Sequence, residues 1–291
     1  MAAVMKPWRS YLSWLLPHGV YVWYGRARTS GGVTTRTVSN KILSSNADIR
    51  DICQGQRCFI LGNAYSVKQL DLRCLAGEKV FSVSNAYLHD GYADIAPAYH
   101  CLPQVTYGLM TESDVVAWFQ EMDRHIGGAE LFLNESEADL VARHRLFADR
   151  QVHYLALRKS FDELRSRDMI DISLPVPRVE SVPVMVIMIA MYMGFREIVL
   201  LGVDHDHFKT GVYRYAFETK TQKGKDYTVN TENEVTLSRH DDFQSLARLW
   251  RQYRVLREIA GSNGIRVLNA SPESELDEFP RVRIEELLEV Q

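Results

Sequence analysis

Residues 57–66 read Arg-Cys-Phe-Ile-Leu-Gly-Asn-Ala-Tyr-Ser. Its apolar residues run together without polar alternation, as in a strand covered on both faces. Gly62 then permits a sharp turn and close backbone approach, and a helical pattern follows Ser66. Strand, glycine turn and helix in that order predict the first unit of a parallel sheet. The same grammar recurs. Further strands are predicted at 79–84, 104–109, 130–133, 151–157, 197–203 and 265–269. Helices are predicted between them at 111–126, 135–147, 160–168, 182–193 and 243–260, the last capped by Asp241 or Asp242. The fold class that follows is α/β: a mostly parallel, Rossmann-like sheet with helices on both faces. The helix at 182–193 is apolar on every side. It is shorter than the roughly 20 residues needed to cross a bilayer, so it reads as a buried core helix.

The 291 residues are 46% hydrophobic and 24% charged, which excludes a disordered, collagen-like or multispanning membrane chain. A net charge of −3 also argues against a general nucleic-acid binder. That sum hides a division. Residues 1–50 carry seven basic side chains and one acid, Asp48, whereas the remainder carries 27 basic and 36 acidic, so a +6 head precedes a −9 body. Three of the five tryptophans (Trp8, Trp14, Trp23) lie in the head with Tyr11, Tyr21 and Tyr24. Aromatic rings flanked by cations suit an anionic membrane surface; the same segment also suits packing on the body or on a second subunit. Residues 26–50 are polar and read as a linker, which places the main domain at 51–291. Cys53, Cys58, Cys74 and Cys101 form no C-x-x-C pair, as expected of reduced thiols in a cytosolic protein.

In open parallel sheets the ligand sits beyond the carboxyl ends of the strands, so the residues just after each strand are informative. After the first come Gly62, Asn63 and Ser66, with N–H groups at a helix start that suit a sugar or phosphate. The turn is neither a G-x-G-x-x-G nor a Walker A sequence, which argues against a dehydrogenase or P-loop kinase. After the second comes Asn85, whose amide reads a base or sugar edge, or simply closes an Asx-turn. The run Ile-Val-Leu-Leu-Gly-Val-Asp-His-Asp-His, 198–207, ends in Asp204, His205, Asp206 and His207. That set suits either a divalent metal or a hydrogen-bond network. Residues 207–239 lack periodicity and predict a lid or a surface excursion, with Tyr215 inside it. His240 precedes an amphipathic helix and is either a general base or a surface residue at a helix cap.

Taken in order, these segments resemble the bacterial sialyltransferases. They also resemble the wider group of motility-associated glycosyltransferases and 6-hydroxymethylpterin diphosphokinase-like proteins. The resemblance runs from about Arg57 to Leu288. It is carried by Leu61-Gly-Asn-Ala-Tyr-Ser-Val67, the strand ending in Asn85, the run from Val182 to Asp204, Tyr215-Ala-Phe-Glu-Thr-Lys220, His240 and Asn269-Ala-Ser-Pro272. Two stretches depart from the family pattern. Ala64-Tyr65 replaces Gly-Pro, and Ser181-Val-Pro183 replaces Thr-Ser-Gly.

The resemblance implies a sialyltransferase-like variant of the GT-A type with a lid at about 205–240. It implies an inverting transfer of a nonulosonic acid from a CMP-activated donor to a bacterial surface glycan, with no cofactor required. On it, Gly62, Asn63, Ser66, Asn85 and Ser181 hold nucleotide and donor, and Asp204 orients the cytidine side. Tyr215 bonds the departing phosphate, and His240 takes the acceptor proton. The wider group implies an alternative, a diphosphokinase-like phosphotransferase using ATP and Mg²⁺ on Asp204 and Asp206; a non-catalytic nucleotide-binding scaffold is a third. Expected partners are the nucleotide-sugar donor, the glycan acceptor and an anionic membrane surface, with no nucleic acid. A homo-oligomer is compatible with all three readings. The expected location is the cytoplasm, at the inner face of the cell membrane.

Overall fold

The structure, a computed structural model, describes residues 42–105, 111–210, 214–217 and 239–288. Nine strands are present among them: β1 (Arg57–Leu61), β2 (Val80–Val83), β3 (Tyr99–Cys101), β4 (Glu130–Asn134), β5 (Val152–Leu155), β6 (Leu157–Lys159), β7 (Val176–Pro177), β8 (Glu197–Leu201) and β9 (Arg266–Asn269). Seven form one sheet in the order β5-β4-β3-β2-β1-β8-β9, every neighbouring pair parallel. β6 and β7 make a separate two-stranded pair.

Four longer helices flank the sheet: α1 (Glu112–His125), α2 (Ala138–His144), α3 (Val182–Tyr192) and α4 (Arg239–Ser262). Alternate strand residues serve opposite faces, as the period of two requires. Cys58, Ile60, Ile198 and Leu200 pack with α3 and the buried side of α4. Phe59, Leu61, Val199 and Leu201 pack with Val115, Phe119 and Met122 of α1 and with Leu140 of α2. Because both faces are covered, central strands need continuous apolar runs, which explains why 57–61 and 197–201 are legible. α3 packs against β1, β2 and β8 and beside α4, which itself reaches β9, and residues from Pro183 to Tyr192 are all buried. Each large apolar side chain buried in this way contributes about 1.5–3 kcal/mol. No helix among the described residues is long and apolar enough to cross a membrane.

Several expectations are corrected. The strand placed at 104–109 is instead β3, at Tyr99–Cys101; Gln104 and Val105 are irregular, and 106–109 lie outside the described residues. The single strand placed at 151–157 is split into β5 and β6. The helix placed at 160–168 is one 3₁₀ turn, Phe161–Glu163, and the one after Ser66 is another, Tyr65–Gln69. Asp241 and Asp242 lie within the first turn of α4 rather than ahead of it. Residues 42–50 were assigned to a linker but belong to the body. Leu43, Asn46 and Ile49 are buried there, and the Asn46 amide donates to the Tyr154 and Ile172 carbonyls. Most of the expected lid, 211–213 and 218–238, lies outside the described residues, as does the aromatic head before residue 42.

Candidate functional site

From β1 the chain winds outward through β2, β3, β4 and β5, whereas β8 and β9 extend the sheet from the other side of β1. The order therefore reverses between β1 and β8, and loops leaving those two strands part there. At the reversal the two carboxyl-end turns touch. The Gly62 N–H donates to the Leu201 carbonyl at 2.7 Å and the Ala64 N–H to the Gly202 carbonyl at 3.1 Å. A Cβ on Gly62 would stand 2.2 Å from the Gly202 oxygen, and Gly202 itself has φ +64°. Both glycines are there to let two backbones meet.

Beyond this contact opens a cleft of about 290 Å³. Gly62, Asn63, Asn85, Ser181, Asp204 and Tyr215 all line it. Ser66 does not; it sits fully buried behind the wall, where its N–H (3.0 Å) and hydroxyl both donate to the Asp204 carboxylate. Burial pushes the Asp204 carboxyl above its ordinary range, and these two bonds oppose the shift. Ser66 is thus a positioning residue for Asp204. Five N–H groups of the turn, expected to be free for an anion, are instead spent internally. Tyr65 donates to the Arg214 carbonyl and Val67 to that of Ala64, besides Gly62, Ala64 and Ser66 above.

Two amides, Asn63 and Asn85, join the charged and hydroxyl side chains of Ser181, Asp204, Asp206, Arg214 and Tyr215 along the cleft. Asn85 follows Ser84, whose φ is +49°, and its Oδ1 accepts the Trp118 Nε1–H at 2.8 Å. The Asn63 Oδ1 is buried and has no hydrogen-bond partner among the described residues. The Gly62 carbonyl accepts from His89 Nε2 at 2.9 Å, and His89 meets the Phe217 ring edge-on at 4.9 Å between centroids. Residues 214–217 lie along the turn after β1. Ala64 and Tyr215 form an antiparallel bridge, and the Ala216 N–H donates to the Asn63 carbonyl. Tyr215 and Phe217 stack at 6.2 Å.

After β8, His205 adopts φ +51° and places Nε2 2.8 Å from the Tyr253 hydroxyl of α4. Burial pushes its pKa down to about 4, with His207 adding to the shift. The neighbouring Asp206 carboxylate is held by the Arg214 guanidinium, Nε at 3.0 Å. The segment after β9 buttresses this turn. Ser271 Oγ accepts the Val203 N–H, the Ser274 hydroxyl donates to the Val203 carbonyl, and the Glu275 N–H to that of Asp204. Asn269 orders that loop through Ser274 and Leu276. His240 is exposed in the first turn of α4, its Nε2 2.9 Å from the Gln244 amide, and does not line the cleft.

Trp118, Arg214 and Phe217 also line the cleft; the sequence offers Arg214 only as one of the cations of the aperiodic stretch around Tyr215 and gives Trp118 and Phe217 no site role. Trp118 sits in the apolar stripe of α1, where its spacing marks it only as core. Arg214 and Phe217 flank Tyr215 in a stretch without periodicity. The only available signal was the clustering of aromatic and basic residues around Tyr215. Planar rings, amides and an Asp-Arg pair are groups able to stack on and hydrogen-bond a polar, ring-bearing ligand. Comparison with protein-family models, curated proteins and solved structures finds no match.

Proposed function

We propose that the chain is a glycosyltransferase of the sialyltransferase-like type. The cleft binds a CMP-activated nonulosonic acid, and the sugar passes with inversion to a hydroxyl of a bacterial surface glycan. One observation carries the reading: six residues singled out by resemblance, spread from Gly62 to Tyr215, line a single cleft at the sheet's reversal point. In the reaction the acceptor oxygen forms a bond to the anomeric carbon as the bond from that carbon to the phosphate oxygen breaks. CMP departs, and the acceptor proton passes to a general base, the role the resemblance gives to His240, which must come to the cleft from its exposed place on α4. Asn63 and Asn85 hold the nucleotide, and the Tyr215 hydroxyl donates to the leaving phosphate. Donors aimed at developing charge contribute several kcal/mol in such sites. General-base help adds about 10²–10⁴-fold.

The Asp204-x-Asp206 pair supports a second reading, a diphosphokinase-like phosphotransferase with Mg²⁺ on the two carboxylates. Asp204 is already bonded to Ser66 and Asp206 to Arg214, so metal binding there would displace both sets of partners. A thermal-shift panel of CMP, CDP, UDP, GDP and ATP, with and without Mg²⁺, separates the readings. Stabilisation by CMP regardless of Mg²⁺ is expected; stabilisation by ATP only with Mg²⁺ transfers the assignment to the phosphotransferase. Nucleotide binding without donor hydrolysis or transfer identifies a scaffold. In the transferase, His240→Ala is expected to lose most turnover while keeping the CMP shift. Full activity in that variant removes His240 from the mechanism.

A further inference from the structure

A second pocket, of about 320 Å³, shares Asp206 and Arg214 with the cleft. Its other charged walls are Lys209, Glu273, Glu275 and Arg281. Three carboxylates thus face three cations. Lys209 pairs with Glu275 at 2.6 Å, and Arg214 reaches Glu273 at 3.9 Å while holding Asp206. The Glu273 carboxylate also accepts from the Gln69 amide. Arg281 is exposed, donates to the Ser274 carbonyl, and has no carboxylate within 4.0 Å among the described residues. The guanidinium of Arg214 lies over the Tyr65 ring, 5.3 Å from its centroid, and the Asp206–Arg214 pair, lining both spaces, is the partition between them.

We propose that this pocket is a second ligand subsite and that it takes an uncharged, hydroxyl-rich sugar: the acceptor end of the glycan. An anionic group entering it would meet three carboxylates, and a cation three cations. Sugar hydroxyls donate and accept, so they bond to carboxylates and guanidinium groups in the same wall. The Lys209–Glu275 and Arg214–Glu273 pairs are partly solvated and weak, and exchange readily for such bonds. Because the partition is a single side-chain pair, a sugar bound here lies next to whatever occupies the cleft. The word acceptor rests on the transferase reading; the sugar site itself rests on the charge arrangement.

The test uses the full chain with galactose, glucose, N-acetylglucosamine and lactose as probes, titrated by saturation-transfer NMR, and pyrophosphate as the anionic rival. At least one sugar is expected to bind saturably. Arg281→Ala and the near-isosteric Glu273→Gln are each expected to weaken it about tenfold, as loss of a charge-assisted hydrogen bond requires. The CMP thermal shift should be unchanged in both, which also reports that they fold. The proposal is overturned if no sugar binds, if both variants bind it like the parent, or if pyrophosphate displaces it. Sugar binding without any CMP shift would leave this subsite standing and remove the nucleotide-sugar reading. A CMP shift without sugar binding would do the reverse.

Discussion

A methyl group on Gly62 would press on the backbone of Gly202, not on a side chain able to turn away. Overpacking a core typically costs about 1–3 kcal/mol, and a rigid partner puts Gly62→Ala at or above the upper end. Its urea midpoint should fall accordingly; an unchanged midpoint would show that the two turns can separate. His100 offers a pH test at the same scale. It is fully buried on β3, with Nδ1 2.8 Å from the Ser82 hydroxyl. Burial lowers its pKa from 6.5 to about 3. The folded state therefore holds it neutral while the unfolded state takes up a proton below 6.5. Its stabilising share is complete above 6.5 and is lost as pH falls toward about 3. By about pH 5 the loss from this residue is ~2 kcal/mol. His89 and His205, also lowered by burial, act in the same direction. Urea unfolding at neutral and mildly acid pH should show that slope, and His100→Asn should flatten it in part. An equal slope in that variant would show His100 to be protonated when folded.

α1 illustrates how an element is legible while its task is not. Its capping box at Thr111 and Asp114 and its buried Val115, Phe119 and Met122 follow directly from residue spacing. That Trp118 reaches across to hold Asn85 follows from tertiary contact alone. Trp118→Phe keeps the ring and deletes the donor. Nucleotide affinity should fall roughly 2–10-fold, with little change in the urea midpoint; unchanged affinity would mean that Asn85 is held by other means. The same divide explains the misplaced strand. β3 reads Tyr-His-Cys, neither β-branched nor wholly apolar, and becomes a buried strand because the Ser82 hydroxyl of β2 partners both the Tyr99 carbonyl and His100 Nδ1. The run at 104–109 has the better strand composition, yet Val105 gives its N–H to Glu137 instead of a ladder. At 160–168 a capping box is present, Ser160 with Glu163, but no apolar period follows to carry a helix beyond one turn.

Across the whole molecule, the site was more legible than its individual bonds. Strand ends in a parallel sheet converge wherever the order reverses, so Gly62, Asn85 and Asp204 were bound to meet once β1, β2 and β8 were adjacent. Ser66, expected to hold the donor, instead bonds Asp204, a partner 138 positions away that no local pattern reveals. The same view sharpens the division of charge. The six basic residues Lys6, Arg9, Arg26, Arg28, Arg36 and Lys41 precede residue 42 with no acid among them. Residues 42–50, in contrast, are part of the body. If the head attaches the protein to an anionic surface, the full chain should co-sediment with vesicles containing phosphatidylglycerol, less so in high salt, and not with phosphatidylcholine alone. Removing residues 1–41 should abolish co-sedimentation and leave the urea midpoint unchanged. Removing 1–50 should also destabilise the body. It strips away buried Leu43 and Ile49, each contributing about 1.5–3 kcal/mol, and it leaves the Tyr154 and Ile172 carbonyls without the Asn46 amide. Equal vesicle binding by the full chain and the chain lacking 1–41 would transfer the attachment to the body and end the membrane role of the head.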